Sequence, residues 1–267
     1  MTSKGDVMRM TVGMTVMVLF PLACLAAGDS PFVEKETTLN AGKYKNEKFR
    51  YLVLEPEKIE PGKKYPVILF LHGAGERGDN PHDAEAHFPK LMATPEYRRK
   101  YECFVVVPQC REKDQWVKVN WSDRNSSHFP AEPSPMMQMA MQALDQTIEE
   151  YPVDKNRIYL TGLSMGGYGS WDLSMRRPEM FAAVVPICGG GDEREAKRII
   201  NVPIWAFHGS VDPAVPVERS RSMIEALKEA GGSPKYTEYK GVGHDSWTPA
   251  YTDPNGVMPW MFEQVKK

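Results

Sequence analysis

Short, nearly uninterrupted apolar runs recur along this chain, with helical patterns between them. The runs are Val67–Leu71 (VILFL), Phe104–Val107, Arg157–Leu160, Ala182–Pro186 and Pro203–Phe207. A strand without alternation must be covered on both faces, as strands of a parallel sheet between two helix layers are. Met136–Glu150 carries apolar residues at 137, 140, 141, 144 and 148, close to a 3.6-residue period. Met165–Arg177 is a second helical stretch, stopped before Pro178, and Arg219–Ala230 a third, ended by Gly231-Gly232. Phe49–Leu54 and Lys235–Lys240 read as further strands, Met258–Lys267 as a closing helix, and Gly28–Asn40 as a polar lead-in. Strand and helix alternate, so the expected class is α/β: one mostly parallel sheet with helices on both faces, in a single domain over 28–267.

The chain has ample apolar material for such a core, with 42% hydrophobic residues, which excludes global disorder. Its 33 basic and 35 acidic residues give a net charge of -2, so no basic field favours a nucleic-acid partner. Residues 1–27 fall outside the predicted fold. Lys4 and Arg9 precede the apolar stretch Met10–Leu22, and small residues follow at Ala23, Ala26, Ala27 and Gly28. That order of charged, apolar and small residues is a secretory signal peptide. Its apolar stretch is shorter than the roughly 20 residues of a membrane span, which argues against stable membrane insertion. The expected location is secreted or periplasmic. Lipid anchoring through Cys24 is the lesser alternative, since Pro21 and Leu22 suit a lipobox poorly.

Loss of the signal leaves Cys103, Cys110 and Cys188. Cys103 and Cys110 bracket one predicted strand, roughly 20 Å apart at about 3.3 Å per residue, beyond disulfide reach. Buried free thiols are expected, with a Cys110–Cys188 pairing left open. No C-x-x-C or His-x-x-x-His pattern signals a metal, and no cofactor is expected.

Gly162-Leu163-Ser164-Met165-Gly166 fits G-x-S-x-G, with an apolar strand before it and a helix-compatible run after it. In that context the serine sits on a sharp strand-to-helix turn, and small neighbours let the turn close. A serine hydroxyl needs a base and an orienting acid to become a nucleophile. Asp212 follows the strand Pro203–Phe207 and His244 follows the last strand, in the order nucleophile, acid, base. Asp192, after the strand ending at Pro186, is an alternative acid. Asp245 and Glu218 are weaker ones. His208, at a strand end, reads as structural, and His82, His87 and His128 as solvated loop residues. The backbone amides of Met165 and Ala74 are the expected oxyanion donors, the latter from the turn His72-Gly73-Ala74-Gly75.

The segments ILFLHGAGERGDN, VVVPQC, RIYLTGLSMGGYGSWDLSMRRPEMFAAVVPICGGGD, WAFHGSVDPAVPV and GVGHDSW resemble exported bacterial α/β-hydrolases of the predicted-peptidase, dienelactone-hydrolase and prolyl-oligopeptidase-like group. They are also similar to feruloyl and acetylxylan esterases and polyhydroxybutyrate-depolymerase-like esterases. The resemblance covers most of residues 65–267. It implies the α/β-hydrolase fold, Ser164, Asp212 and His244 as a catalytic triad, and Ala74 with Met165 at the oxyanion hole. It implies hydrolysis of carboxylic esters, with a serine peptidase as the alternative. The chain is too short for the propeller of true prolyl oligopeptidases, which weakens that alternative.

Two long aperiodic segments, Gly73–Pro89 and Arg111–Pro135, follow strands and should lie over the carboxyl edge of the sheet, where such folds bind ligands. Trp116, Trp121 and Trp247 are candidate faces for a sugar ring or an aromatic acyl group. Glu76, with Arg77 and Asp79, is a candidate for binding hydroxyls. The expected partner is a small-molecule or polysaccharide ester, with acetyl and feruloyl esters favoured.

Overall fold

The computed structural model describes residues 30–126 and 128–266. The segment 1–27 read as a signal peptide, Cys24 included, lies outside the described residues. Eight strands form one sheet in the order β1-β2-β4-β3-β5-β6-β7-β8. They are β1 (Phe32–Ala41), β2 (Tyr44–Leu54), β3 (Tyr65–Leu71), β4 (Phe104–Pro108), β5 (Val153–Leu163), β6 (Ala183–Ile187), β7 (Trp205–Gly209) and β8 (Lys235–Tyr239). Strands β3 to β8 run parallel, and β2 is antiparallel to both β1 and β4. This is the α/β-hydrolase arrangement. Among the described residues, seven α-helices accompany it: α1 (Phe88–Met92), α2 (Pro95–Lys100), α3 (Pro135–Glu150), α4 (Met165–Arg176), α5 (Glu218–Glu229), α6 (Trp247–Thr252) and α7 (Val257–Glu263).

The continuous apolar runs are buried on both sides, as their lack of alternation predicts. In β3, Val67, Leu69 and Leu71 join the core under α3, α4 and α5, while Ile68 and Phe70 join the core under α1, α6 and α7. Helix α3 starts where Ser134 accepts a hydrogen bond from the Met137 amide at 3.0 Å and Pro135 occupies the first turn.

The N-terminal lead-in is a strand, not a loop. β1 is an edge strand paired in register with β2, from Phe32↔Leu54 to Thr38↔Lys48. One face carries the buried Thr37, Leu39 and Ala41, while Glu34 and Glu36 on the other face are exposed, so its sequence looks polar. The segment Gly73–Pro89 is also less open than its composition suggests. It contains a 3₁₀ turn at Pro81–Glu85 and leads into α1. The described residues of segment Arg111–Pro135 form neither strand nor helix before α3, yet they are pinned down. Trp116 Nε1 donates to His72 O at 2.9 Å, the Phe129 amide to Asp192 at 2.9 Å, and Arg176 to Pro130 O and Ala131 O, each at 2.7 Å. Cys103, Cys110 and Cys188 are free and buried. Among the described residues, no helix is long and apolar enough to cross a membrane.

Candidate active site

β5 ends at Leu163, α4 begins at Met165, and Ser164 between them takes φ 54° and ψ -117°. That conformation is strained for a side-chain-bearing residue, and packing holds it. A Cβ on Gly166 would sit 1.8 Å from Leu71 O, and one on Gly162 would sit 2.5 Å from Gly166 O. The turn can therefore close only with glycine on either side of Leu163-Ser164-Met165. The Ser164 amide donates to Ile187 O at 2.9 Å, which ties the turn to the end of β6.

Beyond β7 and β8, the loops bring Asp212 and His244 to this turn. His244 Nε2 lies 2.9 Å from Ser164 Oγ, and His244 Nδ1 lies 2.7 Å from Asp212 Oδ2. The carboxylate partner assigns the hydrogen to Nδ1, leaving the Nε2 lone pair for the serine hydroxyl. The Asp212 side chain is fully buried. Burial pushes its carboxyl upward, but bonds from His208, His244 and the Val215 and Ala214 amides outweigh this. The net result is a group held well below the usual carboxylate range. His208, also fully buried, presents Nε2 to Val215 O at 3.0 Å and to Asp212 Oδ2 at 3.3 Å. The sequence reading of His208 as merely structural missed this second contact with Asp212.

The alternative acid is engaged elsewhere. Asp192 accepts from the Phe129 amide and from Arg194 Nε and Nη2, at 2.6–2.9 Å, and caps the 3₁₀ turn Glu193–Ile199. Asp245 accepts from the Thr248 amide and hydroxyl at the start of α6.

The two expected oxyanion donors lie on segments that flank the serine. Met165 is the first residue of α4, so its amide has no acceptor within the helix. The Ala74 amide has no hydrogen-bond partner among the described residues. Arg77 fixes this loop by donating to Ala74 O at 2.9 Å and Asp114 O at 3.2 Å. His72 is buried and neutral, with Nδ1 on Gly73 O at 2.7 Å and Nε2 accepting from the Cys110 amide at 3.1 Å; burial lowers its pKa to about 4.

The aromatic candidates separate. Trp116 is fully buried against His72 and offers no face to a ligand, so its expected role at the site mouth is corrected to core packing. Asp79 is likewise turned to the surface, where it pairs with Arg111. Trp121 is half-buried beneath Arg77, whose guanidinium lies 5.9 Å from the ring centre. Trp247 meets His244 edge-on, with ring centres 5.3 Å apart. Its Nε1 donates to His87 Nδ1 at 3.2 Å, and His87 Nε2 lies 3.5 Å from Glu76 Oε1. His87, read from the sequence as a solvated loop residue, thus joins Glu76 to Trp247. No local pattern announces such a contact across 160 residues. The other oxygen of Glu76 is buried beside the Gly73 backbone.

A mostly apolar cavity of about 290 Å³ opens beside this aromatic group, between His87, Leu91, Thr94, Trp247, Tyr251 and Thr252. A wider hollow, at Pro178, Arg198 and Lys266, contains none of Ser164, Asp212 or His244. Cys188, Asp212 and His244 gather three metal-ligand types, but His244 Nδ1 and Asp212 Oδ2 are hydrogen-bonded to each other at 2.7 Å, so the group does not fit a cation.

The family model for phospholipase/carboxylesterase matches residues 56–253. The chain belongs to that family. The family comprises carboxylic ester hydrolases, and the chain is similar to several of known name. It is 24% identical over 189 residues to the bifunctional acetylxylan esterase/xylanase of Neocallimastix patriciarum, a match covering 70% of this chain and 25% of that protein. It is 23% identical over 232 residues to the probable feruloyl esterase C of Aspergillus oryzae, covering 86% of this chain and 80% of the relative. The crystal structure of a thermostable esterase superposes with a TM-score of 0.78 at 37% identity, over 88% of this chain and 63% of that one. The chain therefore spans a quarter of the bifunctional enzyme and under two thirds of the thermostable esterase.

Proposed function

We propose that this protein is an exported serine esterase that cleaves acyl esters of polysaccharides. The observation that carries the esterase reading is the unbroken chain Asp212–His244–Ser164, with contacts of 2.7 and 2.9 Å, on a strained turn after β5. Ser164 Oγ attacks the acyl carbon while His244 Nε2 takes its proton. Asp212 holds the tautomer and stabilises the imidazolium. The amides of Ala74 and Met165 receive the developing oxyanion, each donor contributing about 2.7–4 kcal/mol to the transition state. His244 then protonates the departing alkoxide, and water activated by the same nitrogen releases the acid from the acyl-enzyme.

The substrate class rests on the chemistry around Trp247. An indole beside the base, a mostly apolar cavity next to it and the Glu76 carboxylate held by His87 suit an aromatic acyl group on a hydroxyl-rich alcohol. The acetylxylan and feruloyl esterases among its relatives support the same class. The apolar stretch Met10–Leu22 supports export. The decisive experiment compares acetylated xylan, methyl ferulate, p-nitrophenyl acetate, a lipid ester and a peptide amide in parallel. Turnover of methyl ferulate or acetylated xylan is expected. Activity confined to the lipid ester or the peptide amide would overturn the substrate class, and no hydrolysis of any substrate would overturn the esterase reading.

A further inference from the structure

We propose that His87 sets the acyl specificity of the site: it ties Trp247, beside the base, to Glu76, just past the oxyanion turn, and so holds the indole as one wall of a pocket for a planar aromatic acyl group. The inference rests on the esterase reading above and deepens it. His87 touches no reacting atom, so it is a positioning residue that acts through Trp247.

The contacts join three separate segments. Trp247, the first residue of α6, donates from Nε1 to His87 Nδ1 at 3.2 Å, with the ring centres 5.2 Å apart. An indole N–H can only donate, so His87 Nδ1 carries no hydrogen and Nε2 presents its own to Glu76 Oε1 at 3.5 Å. Burial pushes the Glu76 carboxyl upward, but its contacts with His87 and the Gly73 backbone outweigh this and hold it below the ordinary carboxylate range. Glu76 is therefore ionised and accepts that hydrogen well. A Cβ on Gly73 would lie 2.9 Å from Glu76 Oε2, so the carboxylate sits directly against the turn that carries Ala74. At the other end of the tie, the same indole meets the His244 ring edge-on at 5.3 Å.

The backbone singles out the same residue. His87 takes φ 61° and ψ -114°, close to the φ 54° and ψ -117° of the nucleophile. Glycine would adopt this conformation at no steric cost, so the imidazole is carried there against strain. The following residues impose it. Phe88 is fully buried, stacked on Phe70 and tilted against Tyr251 of α6, and the Leu91 amide donates to His87 O at 3.1 Å. Starting α1 does not account for the side chain, because His87 caps no helix amide with it. Its ring is turned to Trp247 and Glu76 instead.

The position of the tie explains why it acts on specificity. Trp247 lines the mostly apolar cavity of about 290 Å³ and also touches the base. While its N–H is held, the cavity keeps a flat aromatic side next to His244. Released from His87, the half-buried indole can turn about its side-chain torsions, and that side is lost. An acetyl group ends beside the oxyanion donors and makes little use of the wall. A planar aromatic acyl group extends past them and packs on it. Losing the tie therefore weakens binding of the aromatic ester more than it slows the chemical step.

The test measures kcat/KM for methyl ferulate relative to p-nitrophenyl acetate in the full chain. Glycine suits the backbone at 87, so in His87→Gly only the side chain is lost; the ratio should fall about tenfold, mainly through KM for methyl ferulate. His87→Asn tolerates the positive φ and puts an oxygen near the Nδ1 position, so it should recover most of the ratio. His87→Gln puts its amide near Nε2 instead and should not. In a Trp247→Phe background, which has no N–H to hold, His87→Gly should lower the ratio by about twofold at most. An unchanged ratio in His87→Gly, better recovery by Gln than by Asn, or the same tenfold loss without the indole N–H would each overturn the proposal. A readout free of catalysis is the indole N–H resonance of ¹⁵N-tryptophan-labelled protein that is missing in Trp247→Phe. It should shift in His87→Gly and His87→Gln and stay near its place in His87→Asn. A resonance that does not move, in a protein that hydrolyses both esters, overturns the tie and leaves the esterase reading standing. A resonance that moves as expected in a protein that hydrolyses no ester overturns the esterase reading, and the acyl specificity with it, while the tie itself stands.

Discussion

His208 Nε2 lies 3.3 Å from Asp212 Oδ2, the same oxygen that holds His244 Nδ1 at 2.7 Å. Two imidazoles therefore converge on one carboxylate oxygen, while the Ala214 and Val215 amides occupy Oδ1 at 2.8 and 3.0 Å. Asp212 has little freedom to turn, and its orientation toward His244 is set before substrate arrives. Removing His208 loosens the acid without touching substrate. His208→Asn should lower kcat about tenfold, the equivalent of one charge-assisted hydrogen bond of about 1.5 kcal/mol, and leave KM for a small aryl ester unchanged. Steady-state kinetics on the folded variant check this; an unchanged kcat would show that His208 only packs the loop.

The two carboxylates that competed in the sequence should separate by what they damage. Asp212→Asn should cut turnover about 10⁴-fold, because an amide favours the wrong tautomer of His244. Asp192→Asn should leave turnover nearly intact and lower the urea midpoint, since Asp192 holds the Phe129 amide and Arg194. Initial rates and unfolding curves on both variants settle the order.

Acid should weaken the fold through His72. Burial lowers its pKa to about 4, against 6.5 for the free side chain. The unfolded chain therefore binds a proton between those values when the folded protein does not, and stability rises with pH. The contribution is complete above pH 6.5 and is lost progressively as pH falls toward 4, amounting to about 3 kcal/mol at the lower end. Urea unfolding at a series of pH values should show this slope. In His72→Asn, less stable at neutral pH, that part of the slope should disappear.

Much of the fold was legible because the strands that carry the site are buried on both faces. Val67–Leu71 and its counterparts have no alternation to confuse with a helix, and Ser164 and Asp212 each follow such an element, whereas His244 follows the polar, partly exposed edge strand β8. The edge strand β1 was hidden by its solvated face, and α6 by its six-residue length and internal Pro249. Trp116 and Trp247 look alike in sequence. Only tertiary packing seals the first under His72 and brings the second to His244. The approaches of His87 to Trp247 and of Cys188 to the triad are likewise long-range, and no spacing within the chain encodes them.

Blocking the cavity beside Trp247 should separate aromatic from small acyl groups. Leu91→Trp places an indole into the space bounded by His87, Thr94 and Tyr251. It should lower kcat/KM for methyl ferulate about tenfold or more, while p-nitrophenyl acetate changes by about twofold at most. An equal loss on both esters would mean that the cavity does not receive the acyl group.

The central claim is that Ser164, drawn to His244 at 2.9 Å, is the nucleophile. The most direct measurement is hydrolysis of p-nitrophenyl acetate by Ser164→Ala, beside stoichiometric labelling of the wild type with a fluorophosphonate. The variant should keep the wild-type circular dichroism and melting temperature, lose turnover and take up no label. Full turnover in Ser164→Ala, or fluorophosphonate attached at another residue, would contradict the account.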